Sequence, residues 1–150
     1  MDLQDEILIP APRDAVHAAL NDPEVLKKCI PGCEELTKHS DTNLEAKVVL
    51  KVGPVKARFA GQVKLNPEDP PEHFSLSGEG NGGVAGFAKG GADVRLEERG
   101  AETFLTYTAK AEIGGKLAQL GSRLVQGTAK KLSASFFANL AQHFAEEERA

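Results

Sequence analysis

Residues 44–65 read LEAKVVLKVGPVKARFAGQVKL, and their apolar side chains alternate with polar ones on both sides of Gly53-Pro54. Apolar residues at every second position are typical of a β-strand with one buried face, and a Gly-Pro pair between two such runs indicates a turn. The stretch therefore predicts a β-hairpin made of Leu44–Val52 and Val55–Leu65. One face of this hairpin is predicted to be buried.

The same alternation extends over much of the chain. From Glu34 to about Ile113, apolar residues alternate and Gly, Pro and Asp-Asn clusters interrupt them at intervals, which predicts about six antiparallel strands. Leu3–Ile9 is predicted to be a strand that precedes this block. Two short helices are predicted to follow that strand: the first ends at Asn21-Asp22, and the second runs from Pro23 to Pro31-Gly32.

The C-terminal part of the chain changes to helical spacing. Residues 116–148 predict one helix of about 33 residues, about 50 Å long, whose apolar stripe must lie across the sheet. Gly121 and Gly127 each cost such a helix about 1 kcal/mol relative to Ala, so they indicate either close packing against the sheet or space for a ligand. The predicted fold class is α+β. A curved antiparallel sheet of about seven strands wraps around a long C-terminal helix, in a single domain of residues 1–150.

Composition and charge limit the function classes. The 150 residues are 41% hydrophobic and 27% charged, with 18 Lys and Arg against 22 Asp and Glu, as in one soluble domain. The chain lacks the basic excess that phosphate neutralisation requires, so nucleic acid is not an expected partner. No secretory signal follows Met1, and no apolar run approaches the roughly 20 residues that cross a bilayer. We therefore expect a cytoplasmic protein.

No constellation of catalytic or metal-binding residues is apparent. The four histidines, His17, His39, His73 and His143, lie on different predicted elements without a second ligand at metal-binding spacing. Ser and Thr residues occur without a nucleophile elbow, and no pair of inward-facing carboxylates can be named. We predict no catalytic residue, no metal and no cofactor.

Two local motifs have simpler explanations than chemistry. Residues 78–83 match the spaced glycines of dinucleotide-binding loops, but they lead into another predicted strand rather than a helix, so we interpret them as a bend in the sheet. Cys29 and Cys33 flank Ile30-Pro31-Gly32, and a disulfide between them would close a very small loop. Free thiols that pack around a turn are the favoured interpretation.

A sheet bent around one long helix leaves a gap between them, which is the expected ligand site. Aromatic residues make up only 5% of the chain and Trp is absent, so few large side chains are available to fill it. The ligand is expected to be apolar, with Tyr107 and Thr128 as candidates to orient a polar group. The predicted lining residues are Val48, Leu50, Phe59, Val63, Leu76, Leu105, Tyr107, Ala109, Leu117, Leu120, Gly121, Leu124, Thr128, Leu132 and Phe136.

Several sequence strings, taken in order, resemble one known family. They are LNDPEVL (20–26), CIPGC (29–33), VGPVKARF (52–59), GFA (86–88) and GGKLAQLGSRL (114–124). Together they are similar to the CoxG family of carbon monoxide dehydrogenase subunits, and the resemblance covers nearly the whole chain. That family belongs to the START and birch-pollen-allergen-like superfamily (SRPBCC), which implies a helix-grip fold.

The resemblance implies a non-catalytic accessory protein of a molybdenum-type carbon monoxide dehydrogenase or related hydroxylase. It implies membrane recruitment of that enzyme and binding of a quinone or lipid in the apolar pocket. Some family members carry a C-terminal membrane anchor, whereas residues 144–150 here are short and acidic, so we expect at most peripheral membrane contact. Two alternatives stay open: a ligand-free assembly protein, and an enzyme related to the cyclases and dehydratases of this fold.

Overall fold

A computed structural model of the protein describes residues 1–149, with side chains through Glu147. Its strands are β1 (Asp2–Ile9), β2 (Cys33–Lys38), β3 (Asn43–Val52), β4 (Val55–Asp69), β5 (His73–Asn81), β6 (Phe87–Arg99) and β7 (Glu102–Gly114). They form one antiparallel sheet in the order β1-β7-β6-β5-β4-β3-β2. The six strands predicted after the two short helices are confirmed, as is the strand before them.

The hairpin predicted from residues 44–65 joins β3 to β4. Val52 is opposite Val55 in register, and Gly53 takes a φ of 58°, a left-handed conformation that Gly adopts without steric cost. Because side chains alternate across a strand, Leu44 and Val52 share a face with Phe59 and Leu65. All four are buried, so this face of the sheet is the inner one.

Four helices complete the fold: α1 (Arg13–Leu20), α2 (Pro23–Cys29), α3 (Lys116–Gln119) and α4 (Ser122–Arg149). A 3-10 turn, Gly83–Ala85, joins β5 to β6. The start of α2 follows from its sequence, because the Asp22 side chain accepts a hydrogen bond from the Glu24 N–H at 2.9 Å and Pro23 occupies the first turn. Within the described residues, no helix combines the length and apolar character needed to cross a bilayer.

The prediction of one continuous helix from Lys116 is wrong at Leu120–Gly121. Here α3 ends and α4 begins, and Gly121 has a φ of 95°, which is incompatible with a right-handed helix. Of the two explanations offered for the helical glycines, close packing is wrong, since a Cβ added to Gly121 or Gly127 would meet no neighbouring atom within 4 Å. Gly121 is explained by backbone conformation, and no contact in the structure explains Gly127.

One end of the sheet is closed by α1, α2 and the C-terminal half of α4. Leu140 of α4 is fully buried there, and the Asn139 side chain donates a hydrogen bond to the Cys29 carbonyl at the end of α2, at 3.0 Å. The buried Thr103 hydroxyl donates to the Ala11 carbonyl at 2.7 Å, which ties β7 to the segment before α1. The Leu140 and Asn139 contacts hold the C-terminal half of α4 against this end of the molecule.

Candidate functional site: the gap between the sheet and the long helix

The buried apolar residues form two separate clusters rather than one continuous core. The larger cluster lies where α1, α2 and the C-terminal half of α4 meet the sheet, and it includes Ile9, Val16, Leu105, Leu140 and Phe144. The smaller cluster consists of Val52, Phe59, Ala85 and Leu117, near the β3–β4 turn and α3. The middle of the inner face therefore lies between two packed regions.

Small residues occupy the inner face between these clusters. Val63, Gly78, Gly90 and Ala111 are consecutive register partners across β4, β5, β6 and β7, and all four are half-buried. Two of them have no side chain and a third contributes only a methyl group, so this row projects little into the space above the sheet. Val63 packs against the larger cluster, whereas the half-buried inner residues Ala46, Val48 and Ala92 belong to neither cluster.

The apolar side chains of α4 are buried to different extents along the helix. Along α4, Leu140 and Phe144 are buried, Thr128, Leu132 and Phe136 are half-buried, and Leu124 is 40% exposed. Because protein interiors are close-packed, apolar residues that stay half-buried between a sheet and a helix are candidates to contact a ligand. We call this region the gap.

The structure places the predicted lining residues at three depths. Four are buried in the clusters: Leu105 and Tyr107 in the larger, Phe59 and Leu117 in the smaller. Two are exposed at the start of α4, Gly121 and Leu124. Nine are half-buried: Val48, Leu50, Val63, Leu76, Ala109, Leu120, Thr128, Leu132 and Phe136.

The two residues predicted to orient a polar group of the ligand, Thr128 and Tyr107, differ in whether their hydroxyl groups are free to bind it. Thr128 donates its hydroxyl to the Leu124 carbonyl at 3.0 Å, so its hydrogen is engaged within α4. Tyr107 is buried on β7 and its ring stacks on Phe137 with 5.2 Å between ring centres. Within the described part of the chain its hydroxyl has no hydrogen-bond partner, which makes Tyr107 the better candidate to bind a polar group of a ligand.

Phe137 is a candidate site residue that sequence reasoning missed. Helical spacing placed Phe136 on the apolar stripe, but both phenylalanines are half-buried and their rings meet edge to face at 5.1 Å. The adjacent Phe136-Phe137 pair in a helix with few other aromatic residues was the available signal. Phe137 holds Tyr107 from the helix side of the gap.

The gap contains almost no ionisable groups. The inward-facing positions of 44–52, 55–65, 74–80, 88–96 and 103–113 carry no Asp, Glu, Lys, Arg or His, and Tyr107 is their one titratable residue. The Asp5 carboxylate, which shares the register of Tyr107 on β1, is exposed and accepts a hydrogen bond from the Glu6 N–H at 2.8 Å. The inner surface therefore favours apolar binding over acid–base chemistry.

Charged side chains instead pair on the outer face of the sheet. Arg58 donates to both carboxylate oxygens of Glu34, at 2.7 and 3.3 Å. The hydrogen bonds from Arg58 hold the pKa of Glu34 below its ordinary value, and both groups are exposed. His73 on β5 pairs with Asp93 on β6, and Arg95 lies 3.6 Å from the same carboxylate. These pairs lie on the opposite face of the sheet from the gap.

Solved structures with this fold include proteins of several kinds. A conserved protein from Geobacillus kaustophilus is 31% identical, with a TM-score of 0.90 over 97% of this chain and 96% of that one. A START superfamily protein from Mycobacterium smegmatis is 15% identical, with a TM-score of 0.60 over 94% and 97%. The Zhui aromatase/cyclase from Streptomyces sp. R1128 is 12% identical, with a TM-score of 0.74 over 100% and 96%. These likenesses confirm the helix-grip fold.

Sequence comparison identifies the family. No curated protein matches the chain. The model of the carbon monoxide dehydrogenase CoxG family matches residues 6–145, which include the strings that suggested the resemblance. The chain therefore belongs to the CoxG family of carbon monoxide dehydrogenase subunits.

Proposed function

We propose that this protein is a non-catalytic accessory protein that carries a quinone or an isoprenoid lipid in the gap between the sheet and α4. In this proposal it serves a molybdenum-type carbon monoxide dehydrogenase or a related hydroxylase, and links that enzyme to the membrane or the respiratory chain. Membership of the CoxG family supports the enzyme class. The shape and chemistry of the gap support the ligand class.

The observation that carries the proposal is the row of small residues on the inner face. The strand positions Val63, Gly78, Gly90 and Ala111 carry small side chains or none, and half-buried Leu132 and Phe136 lie on the helix side. A ligand bound between these residues would bury apolar surface, and each Å² removed from water would contribute about 25 cal/mol to the free energy of binding. An extended apolar molecule with one polar end fits such a site, with Tyr107 as its hydrogen-bonding partner.

The absence of acid–base groups from the inward-facing strand positions supports a carrier rather than an enzyme. General acid–base catalysis needs a titratable group within hydrogen-bond reach of the reacting atoms, and only Tyr107 has this potential here. The likeness to an aromatase/cyclase concerns the fold alone, at 12% identity. We therefore propose that Tyr107 orients the ligand without transforming it.

A pair of variants on one strand tests the binding site. Ala109→Phe adds a ring on the inner face of β7, whereas Thr108→Phe adds one on the outer, exposed face. We expect the wild type and Thr108→Phe to bind a short-chain menaquinone alike in a fluorescence titration. Ala109→Phe should weaken that binding by at least about tenfold, because the ring occupies part of the gap.

The control for this pair is thermal unfolding, since overpacking also destabilises a fold. Val48→Phe, which fills the gap from β3, is a second test should Ala109→Phe unfold. Equal quinone affinity in the inward-facing and outward-facing variants, with all of them folded, would show that the ligand does not occupy the gap.

A further inference from the structure

Three segments meet at the end of the molecule opposite α1 and α2: residues 51–56, 82–86 and 115–125. We call this surface the basic end. Gly53 lies directly against the Leu124 side chain, and Gly82 lies against the Phe59 ring. The backbones of Gly86 and Gly115 approach so closely that neither has room for a Cβ. The smaller apolar cluster lies beneath these contacts and holds the three segments together.

Charge is distributed unevenly over this surface. The basic end carries four exposed cations, Lys51, Lys56, Lys116 and Arg123, whereas all 22 acidic residues of the chain lie outside its segments. Among the described residues, none of the four has a carboxylate within 4 Å. Glu112, the acid nearest to Lys116 along the chain, is opposite Lys89 in register. A surface this basic is unexpected on a chain with a net charge of −4.

The two hairpin lysines are the most informative pair. Lys51 and Lys56 are direct register partners beside the β3–β4 turn, and like charges in that position destabilise a sheet. Neither lysine has a carboxylate of the described chain within 4 Å, so no ion pair there offsets their repulsion. An external anionic surface would offset it.

Exposed apolar side chains accompany these cations. Val84 is 85% exposed, Leu124 is 40% exposed, and Pro54 is exposed at the hairpin turn. Val84 projects from an ordered 3-10 turn, since the Asn81 side chain accepts a hydrogen bond from the Gly83 N–H at 2.8 Å. Apolar tips surrounded by cations are suited to the boundary between anionic headgroups and acyl chains.

We propose that the basic end docks on an anionic phospholipid membrane, with Val84 and Pro54 inserted and the four cations on the headgroups. This inference rests on the proposed function for its purpose, because docking would place the N-terminal end of α4 and the gap beside the pool of apolar ligand. The electrostatic attraction to the headgroups comes from the four cations, Lys51, Lys56, Lys116 and Arg123. Val84 adds burial of apolar surface among the acyl chains.

Vesicle co-sedimentation of the full chain tests this docking. The probes are vesicles of phosphatidylcholine alone and of phosphatidylcholine with one quarter phosphatidylglycerol. We expect binding to the anionic vesicles that weakens as salt is raised, and little binding to the neutral ones. Each lysine near an anionic membrane raises the affinity for that membrane by about a factor of five. Removal of two lysines should therefore weaken vesicle binding about 25-fold.

The decisive comparison uses two double variants with the same change in charge. The hairpin variant, Lys51→Glu with Lys56→Glu, should lose this binding, and Val84→Ser should weaken it at constant charge. Lys64→Glu with Lys89→Glu, on the outer face of the sheet, should bind nearly as wild type. Equal binding to both vesicle types, no vesicle binding, or equal losses in the two double variants would each overturn the proposal.

Quinone binding separates this inference from the proposed function. The hairpin variant should still take up short-chain menaquinone in detergent, because its substitutions are outside the gap. Wild type that holds quinone without binding vesicles would refute membrane docking alone. Wild type that binds anionic vesicles and takes up no quinone would refute the carrier function alone.

Loss of binding to the dehydrogenase in the hairpin variant, without vesicle binding by the wild type, would overturn membrane docking and assign the basic end to an acidic protein partner.

Discussion

Cys29 and Cys33 show how two neighbouring thiols acquire different environments. Cys29 is buried at the end of α2, and Cys33 is half-buried at the start of β2. Both thiols are free, as the sequence predicted. Burial raises the pKa of the Cys29 thiol above its ordinary value of 9.0, and nearby Lys28 only partly offsets this effect. Burial raises the pKa of Cys33 in the same direction.

The raised pKa values predict slow alkylation of both thiols. The thiolate is the nucleophile, so at pH 7–8 both residues should react with iodoacetamide more slowly than free cysteine, and Cys29 more slowly than Cys33. A raised folded-state pKa also means that the fold prefers the protonated thiol, so this contribution to stability falls as pH rises past 9. Mass spectrometry of timed alkylation, with free cysteine as the reference, measures the rates. Faster labelling of either thiol than of free cysteine at pH 7 would contradict these environments.

At the scale of secondary-structure elements, replacing Gly121 or Gly127 with Ala is expected to change the stability of the fold in opposite directions, although the two glycines have similar surroundings. A Cβ at either position would meet no atom within 4 Å, so packing does not distinguish them. Gly121 has a φ of 95°, whereas Gly127 lies inside α4. Gly121→Ala should destabilise the fold by about 1–2 kcal/mol, because L-residues rarely adopt that conformation. Gly127→Ala should stabilise it by about 0.5–1 kcal/mol.

Urea unfolding of the two alanine variants beside the wild type measures both effects. The pair is its own control, since the same methyl group is added in open space at both positions. Shifts of the same sign in both variants would show that α3 and α4 are not separated by a left-handed glycine.

A second pair of substitutions concerns how α4 lies on the sheet. Leu140 is fully buried in the larger cluster, whereas Leu132 is half-buried beside the gap. Leu140→Ala should cost about 2–5 kcal/mol because it leaves a cavity in a packed core. Leu132→Ala should cost about 1 kcal/mol, because its surroundings are already open. Similar losses for both variants in urea unfolding would indicate that α4 is packed along its whole length.

The elements were predictable where a local pattern decides them. Alternation on both sides of Gly53-Pro54 predicts β3 and β4, and Asp22-Pro23 predicts the start of α2, because each signal acts within a few residues. The break at Gly121 was not predicted, since apolar spacing continues from Leu117 across it. A single left-handed residue ends a helix without changing the periodicity around it.

The candidate site was less predictable than the fold. Strand parity correctly placed Val48, Val63 and Ala109 on the inner face, because side-chain direction alternates along a strand. The alternation does not show how deeply each inward-facing side chain is buried. The sequence therefore did not distinguish the buried Leu105 and Phe59 from residues that are half-buried. Depth depends on where α4 docks, which long-range contacts such as Asn139 to the Cys29 carbonyl decide.

At the scale of the whole molecule, the gap follows from the way in which the two clusters are built. The larger is completed by α1, α2 and the C-terminal half of α4, and the smaller by α3 and the 3-10 turn. Between them, the register partners Gly78, Gly90 and Ala111 carry no side chain larger than a methyl group. The fold thus packs both ends of the sheet and leaves small residues at its centre, where we propose that the apolar ligand binds.

Native mass spectrometry tests that central claim most directly. The protein would be purified gently from a respiring host, its intact mass recorded, and any bound molecule extracted and identified. The account predicts close to one equivalent of a quinone or isoprenoid lipid per chain, lost on organic extraction and restored by added menaquinone. A bare mass, together with no uptake of added quinones, would contradict the carrier function and favour a ligand-free assembly protein.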